Sequence, residues 1–269
     1  MSDFIQLEID DGVAIATMNA PESRNTLGAA AQFDAIDELC ARLAKDRTIR
    51  ALVLTGAGKA FCAGGDIKHM LERSKIPGAQ PVDERYFYQE SFHRLPKALY
   101  ELETPTIAAV NGPAMGAGLD LACMCDIRIA SEKALFAESF VKLGIIPGDG
   151  GAYLLQRLVG PSKAAEMTFT GDAIDAAEAL RCGLVSRVTA PDRLMPEALA
   201  LARRIAANPS HALRMAKRLM REAQHAKLDT ILQLSGAFQA LAHHTDDHHR
   251  LIGAAVDRLG KNPPRESKS

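Results

Sequence analysis

Ala51-Leu52-Val53-Leu54-Thr55-Gly56-Ala57-Gly58-Lys59-Ala60-Phe61-Cys62-Ala63-Gly64-Gly65-Asp66-Ile67 is the stretch on which the reading of this chain turns. Its first five residues form a short apolar run, the mark of a strand buried on both faces. Gly56-Ala57-Gly58 ends that strand. The residues beyond it are mostly small, and small residues let a ligand approach the backbone closely. A second stretch repeats the plan. Residues 106–110 are again a buried strand, Asn111-Gly112-Pro113 is a turn, and residues 118–125 read as a helix, with Ala114-Met115-Gly116-Ala117 between. A strand that feeds a helix through such a turn aims unpaired N–H groups at whatever sits there.

Outward from these two stretches the pattern is consistent. Residues 4–10 alternate, with Ile5, Leu7 and Ile9 on one side, and Asp11-Gly12 then leads into residues 13–18, a β-hairpin signal. Residues 28–45 carry Phe33, Ile36, Leu39 and Leu43 on one helical stripe. An aromatic-rich helix is expected over about 85–102, ended by Pro105. Short strands recur at 127–130 and 134–137. Alternating strands and helices predict an α/β fold with a largely parallel core sheet. From about residue 152 the chain turns helical, the last run being 229–258, which Gly236, Gly253 and the histidines after position 242 make too long for one unbroken helix. The expected division is an α/β core over 1–195 and a C-terminal helical segment over 196–269, its last eight residues frayed.

The bulk numbers allow this. The 269 residues are 47% hydrophobic and 24% charged, ordinary globular values, with a net charge of −1. No basic field exists to attract nucleic acid or an acidic membrane surface. No apolar run approaches the roughly 18 residues of a membrane helix, and the N-terminus has no targeting pattern, so a cytoplasmic protein is expected. Five cysteines, an odd number in a long chain, argue against a disulfide framework. Cys123 and Cys125 form a C-x-C pair without a second cluster, and read as small core residues rather than zinc ligands.

Two nucleotide-binding patterns fail. A Walker loop needs Gly-Lys followed by Ser or Thr and an upstream glycine, but Ala60 follows Lys59 and position 53 is valine. A dinucleotide fingerprint lacks its third glycine after Gly116-Ala117-Gly118. Instead Ser23-Arg24-Asn25-Thr26-Leu27, Ala60-Phe61-Cys62-Ala63-Gly64-Gly65-Asp66-Ile67, Pro105-Thr106-Ile107-Ala108-Ala109-Val110-Asn111-Gly112 and Cys125-Asp126-Ile127-Arg128 stand in order. Leu143-Gly144-Ile145-Ile146-Pro147-Gly148-Asp149-Gly150-Gly151, Phe169-Thr170-Gly171-Asp172 and Gly183-Leu184-Val185 complete the set. Any one motif is weak. The ordered set resembles the enoyl-CoA hydratase/isomerase (crotonase) superfamily over residues 4 to about 258.

That resemblance implies a spiral of ββα units, coenzyme A thioester substrates with no separate cofactor, and a homotrimer or a dimer of trimers (a hexamer) joined through the C-terminal helices. It implies an oxyanion hole made by the backbone N–H groups of Ala63 and Ala117, and coenzyme A lying along Arg24, Lys59, Ala63, Gly65, Asp66 and Ile67. Preorganised N–H donors stabilise the enolate oxyanion of such reactions, and a donor of this kind is worth roughly 3–4 kcal/mol. Arg24 and Lys59 are suited to phosphates, although Lys59 also fits a solvated turn. Hydratases of the family carry one glutamate three residues past the second donor and another just before Leu-Gly-x-x-Pro-Gly. Here the first position is Asp120 and the second is Phe140, which transfers no protons.

Two other carboxylates lie near. Glu138 shares a face with Phe140 if the segment is extended, or lies on the surface. Asp149 is either catalytic or the holder of an Asx turn. The histidines at 243, 244, 248 and 249 match no metal motif and are expected on a solvated or intersubunit face. The sequence thus points to an acyl-CoA-processing enzyme, nominally an enoyl-CoA hydratase. The alternatives are an isomerase or hydrolase using Asp120 and Asp149, or a catalytically silent coenzyme A-binding protein.

Overall fold

The computed structural model of the chain describes residues 3–261. Strands β1 (Ile5–Asp10) and β2 (Val13–Met18) form the expected hairpin, turning at Asp11 and Gly12, both at positive φ. Helix α1 (Ala30–Lys45) buries Phe33, Ile36, Leu39 and Leu43. Strand β3 (Ala51–Gly56) is buried throughout. Helices α2 (Ile67–Arg73) and α3 (Pro81–Glu90) precede strand β4 (Thr106–Val110). Then come β5 (Ala114–Met115), α4 (Ala117–Met124), β6 (Ile127–Ser131) and β7 (Leu135–Ala137). Helices α5 (Gly151–Val159) and α6 (Pro161–Thr170), strand β8 (Ile174–Asp175), helix α7 (Ala176–Arg181), strand β9 (Arg187–Thr189) and helix α8 (Leu194–Ala206) follow.

Among the described residues the main sheet runs β1-β2-β3-β4-β6-β9, parallel from β2 onward, and a small sheet runs β5-β7-β8. Each of β4 and β6 in the large sheet continues into a short strand of the small one and then a helix. The turn after β3 does the same through a parallel bridge between Cys62 and Ala114. This is a spiral of ββα turns. Strand alternation splits the core. Leu52, Leu54, Ala108, Val110 and Ala130 face the larger cluster, with α1, α4 and α5. Ala51, Val53, Ile107, Ala109 and Ile129 face Leu194, Ala198, Ala202 and Ala206 of α8.

Three expectations change, and the expected break in the last helical run is found. The compact units meet at Ala207 and Asn208 rather than at 195, because α8 covers one face of the core sheet. The aromatic helix is α3, starting at Pro81 and breaking at Ser91, with a separate helical turn at Pro96–Tyr100. Pro96 has no N–H and falls in the first turn of that second stretch, where none is needed. In β1, Ile9 is 44% exposed, since an edge strand loses cover toward its hairpin turn. The last helical run divides into α10 (Leu228–His243) and α11 (Asp246–Lys261), where the Thr245 hydroxyl accepts the His248 N–H as a cap. The second unit, Asn208–Ser269, contains α9 (Ser210–Glu222), α10 and α11. Within it Ala212, Met215, Ala216 and Leu219 of α9 line a groove against Ser235, Phe238 and Ala242. The expected fraying of 262–269 lies outside the described residues. No helix among the described residues is long and apolar enough to cross a membrane.

Candidate active site

The two glycine-rich turns lie side by side. The N–H groups of Phe61 and Cys62 donate to the Pro113 carbonyl at 3.1 and 3.2 Å, and the Met115 N–H donates to Cys62 at 3.0 Å. This approach needs glycine at two points. Gly64 has φ +95°, and a Cβ there meets the Met115 carbonyl at 2.5 Å; a Cβ at Gly118 overlaps the Cys62 carbonyl. Ala63 and Ala117 are thereby neighbours across the two turns. Ala117 opens α4, and its N–H has no acceptor among the described residues. The Ala63 N–H is not free in the same way, for it donates to the Arg24 carbonyl at 3.0 Å. Arg24 and Asn25 take left-handed φ values of 58° and 59° to reach it. Buried Asn25 pins that geometry by donating to the carbonyls of Ala57, Ala60 and Phe61 and accepting the Ala20 N–H.

Asp120, Glu138 and Asp149 are all buried, at 0, 0 and 2% exposure. The N–H of Gly151, at the start of α5, donates to Asp120 Oδ2 at 3.0 Å. A Cβ at Gly151 would overlap both Asp120 Oδ1 and Glu138 Oε1, so the two carboxylates converge on one point. Asp120 Oδ1 and both oxygens of Glu138 have no hydrogen-bond donor facing them. Burial pushes Asp120 well above the ordinary carboxylate range, and the charges of Glu138 and Asp149 push it further, against the Gly151 N–H. Burial also lifts Glu138 to about 8, with neighbouring Asp120 opposing. Asp149 rises to about 7 through burial. The cluster therefore holds protons at neutral pH and contains both an acid and a base.

Glu138 is a buried site carboxylate, not a surface residue. The shared-face argument for it does not hold, because Ser139–Leu143 form a 3-10 turn rather than extended chain. Phe140 is also buried, its Cζ 3.5 Å from where a Cβ on Gly116 would stand.

Tyr88 and His93 reach the same site and were missed by the sequence reading. His93 Nε2 lies 3.0 Å from the Gly148 carbonyl. The Tyr88 ring fills the space beside Gly148, with Cε1 2.8 Å from a Cβ placed there. Burial first, then the charge of Asp149, raises the Tyr88 phenol. The available signal was the aromatic density of Tyr86-Phe87-Tyr88 and Phe92-His93, which reads equally well as helix packing.

Arg24 and Lys59 are exposed beside the turns, and Ile67 is 60% exposed at the start of α2. Asp66 caps α2, accepting the N–H groups of Lys68 and His69 at 2.9 and 3.3 Å. Gly65 leaves room for the Met70 methyl group. At the other end of the chain, His243 Nδ1 lies 3.1 Å from His248 Nε2. No set of three His, Cys, Asp or Glu is arranged to hold a metal among the described residues. Cys123 and Cys125 are buried free thiols.

Comparison with known proteins gives one answer. The model of the family described as Enoyl-CoA hydratase/isomerase matches residues 8–255. A short-chain-enoyl-CoA hydratase of Clostridium acetobutylicum is 36% identical over 253 residues, 94% of either chain. A 1,2-epoxyphenylacetyl-CoA isomerase of Escherichia coli is 35% identical over 272 residues, 98% of either chain. The crystal structure of an enoyl-CoA hydratase from Mycobacterium smegmatis superposes with a TM-score of 0.87 at 31% identity, covering 96% of this chain and 97% of that one.

Proposed function

This chain belongs to the enoyl-CoA hydratase/isomerase family and is an enzyme of that type, and from that premise we propose that it adds water across the double bond of a 2-enoyl-CoA thioester. The observation that carries the proposal is the convergence of Asp120 and Glu138 on one point. Glu138 supplies the second carboxylate that Phe140 does not. This also answers the silent-protein alternative, which required the pair to be lost.

The thioester oxygen lies between the N–H groups of Ala117 and Ala63, displacing the Arg24 carbonyl from the latter. Glu138, whose proton is held less tightly than that of Asp120, acts as base in its ionised form, which is the minor form at neutral pH and grows as pH rises toward about 8. It takes a proton from water as the water oxygen bonds to the β-carbon. The π electrons move onto the thioester as an enolate, which the two N–H donors stabilise. Protonated Asp120 then gives its proton to the α-carbon, and the pair resets by passing the proton from Glu138 back to Asp120. Coenzyme A follows Gly65, Asp66 and Ile67, with Arg24 and Lys59 at its phosphates. The assembly is a homotrimer or dimer of trimers in the cytoplasm, using exposed apolar residues of the C-terminal helices such as Leu228, Leu232 and Leu241.

Incubation with crotonyl-CoA tests this directly through loss of the enoyl absorbance. Asp120→Asn and Glu138→Gln should each lower kcat by about 10²–10⁴-fold. No absorbance loss with the wild type overturns hydration. The second reading, isomerisation of a CoA ester by Asp120 and Asp149, is favoured by the burial of Asp149 in the same cluster. It predicts a turnover that survives Glu138→Gln but not Asp149→Asn.

A further inference from the structure

We infer that His93 is a positioning residue, holding the 146–150 loop so that Asp149 and the Gly151 N–H stay aimed at Asp120. The inference rests on the proposed carboxylate cluster being the reactive one. Little else holds this loop. Ile146 is 76% exposed, and Pro147 has no N–H to donate. Among the described residues, the hydrogen bond to His93 is the one that joins 146–150 to an earlier element. Gly150 accepts only from Tyr153 and Leu154, within the helix that follows it.

Asp149 needs such a tie. Its side chain is 2% exposed, and no hydrogen bond from another described residue fixes its direction. A buried carboxylate without partners gains by swinging toward water, unless its backbone is held. The tie is made one residue away, at the Gly148 carbonyl. Because a carbonyl only accepts, His93 Nε2 carries the hydrogen. The anchor is itself braced. The His93 N–H donates to the Tyr88 carbonyl at 2.9 Å, and the two rings meet at 6.0 Å between centroids. The Tyr88 ring then lies where a side chain at position 148 would begin. Two residues later the chain enters α5 at Gly151, whose N–H reaches Asp120. A shift at Gly148 is thus passed to one catalytic carboxylate through its own backbone and to another through a hydrogen bond.

Two variants separate this role from mere packing. His93→Phe keeps a ring against Tyr88 and removes the donor; His93→Gln keeps an N–H donor of similar reach. With crotonyl-CoA, His93→Phe is expected to lower kcat on the order of ten- to a hundred-fold with KM within about two-fold, since small misplacements of reacting groups are costly. His93→Gln is expected to recover most of that loss. Hydrogen exchange of a peptide spanning 146–152 reads the loop without any turnover. It should quicken in His93→Phe and not in His93→Gln, while exchange in β3 and β4 stays unchanged. Unchanged loop exchange in His93→Phe overturns the inference whatever the activity. So does an equal fall of kcat in both variants. If the wild type fails to hydrate crotonyl-CoA while the exchange difference appears, the hydratase reading fails and the positioning role stands.

Discussion

Glu138 sits two residues before the place where a hydratase glutamate is expected, yet its oxygens meet those of Asp120. Strand β7 ends at Ala137, and the chain tightens at once into a 3-10 turn. That turn swings Glu138 inward as well as Phe140. Extended geometry, the basis of any argument from spacing, does not apply there. The electrostatic consequence is testable on stability. The unfolded chain releases these protons near pH 4, the usual carboxylate range, whereas the native state keeps them on Glu138 to about 8 and on Asp149 to about 7. Between those limits the native state binds more protons than the unfolded one, so stability falls as pH rises through the window. Glu138→Gln removes one such group. Denaturant titrations should find the variant more stable than wild type at pH 8 by at least about 1 kcal/mol, with the gain vanishing near pH 4. A gain that is the same at both values would contradict the assigned ionisation.

At the scale of elements, the two glycine-rich turns and α8 matter most. The turns were legible because they need particular residues: only glycine admits the φ of Gly64 or the closeness of Gly118 to Cys62. Helix α8 was legible as a helix but not as part of the core. Its contact face is Ala198, Ala202 and Ala206, which reads as weakly apolar in sequence. The small side chains instead allow the helix to lie close on Val53, Ile107 and Ile129. Ala202→Leu should therefore destabilise by about 1–3 kcal/mol through overpacking, measured by thermal unfolding. A neutral result would mean that α8 lies farther from the sheet than described. Tertiary context likewise hid His93 and Tyr88, since nothing in their spacing says which loop the end of α3 and the turn after it will meet.

Across the whole molecule, the second unit exposes Leu228, Leu232, Leu241, Ile252 and Val256, each more than half exposed. The proposed trimer would cover such apolar surface. Leu232→Glu with Leu241→Glu should shift sedimentation toward the monomer; a wild type that is already monomeric rejects the trimer. The sequence by itself determined the α/β class, the paired turns and the family, because strand periodicity, forced glycines and motif order are local or ordered along the chain. It also determined Asp120, whose place follows from its helix. Tertiary structure alone decided that Glu138 joins Asp120, that Asp149 lies in the same buried cluster, that the Ala63 N–H meets Arg24, and that His93 grips the Asp149 loop. Those facts depend on which distant segments share a space and how little water is left between them. Burial also sets the protonation of the acids, and no spacing rule carries that information.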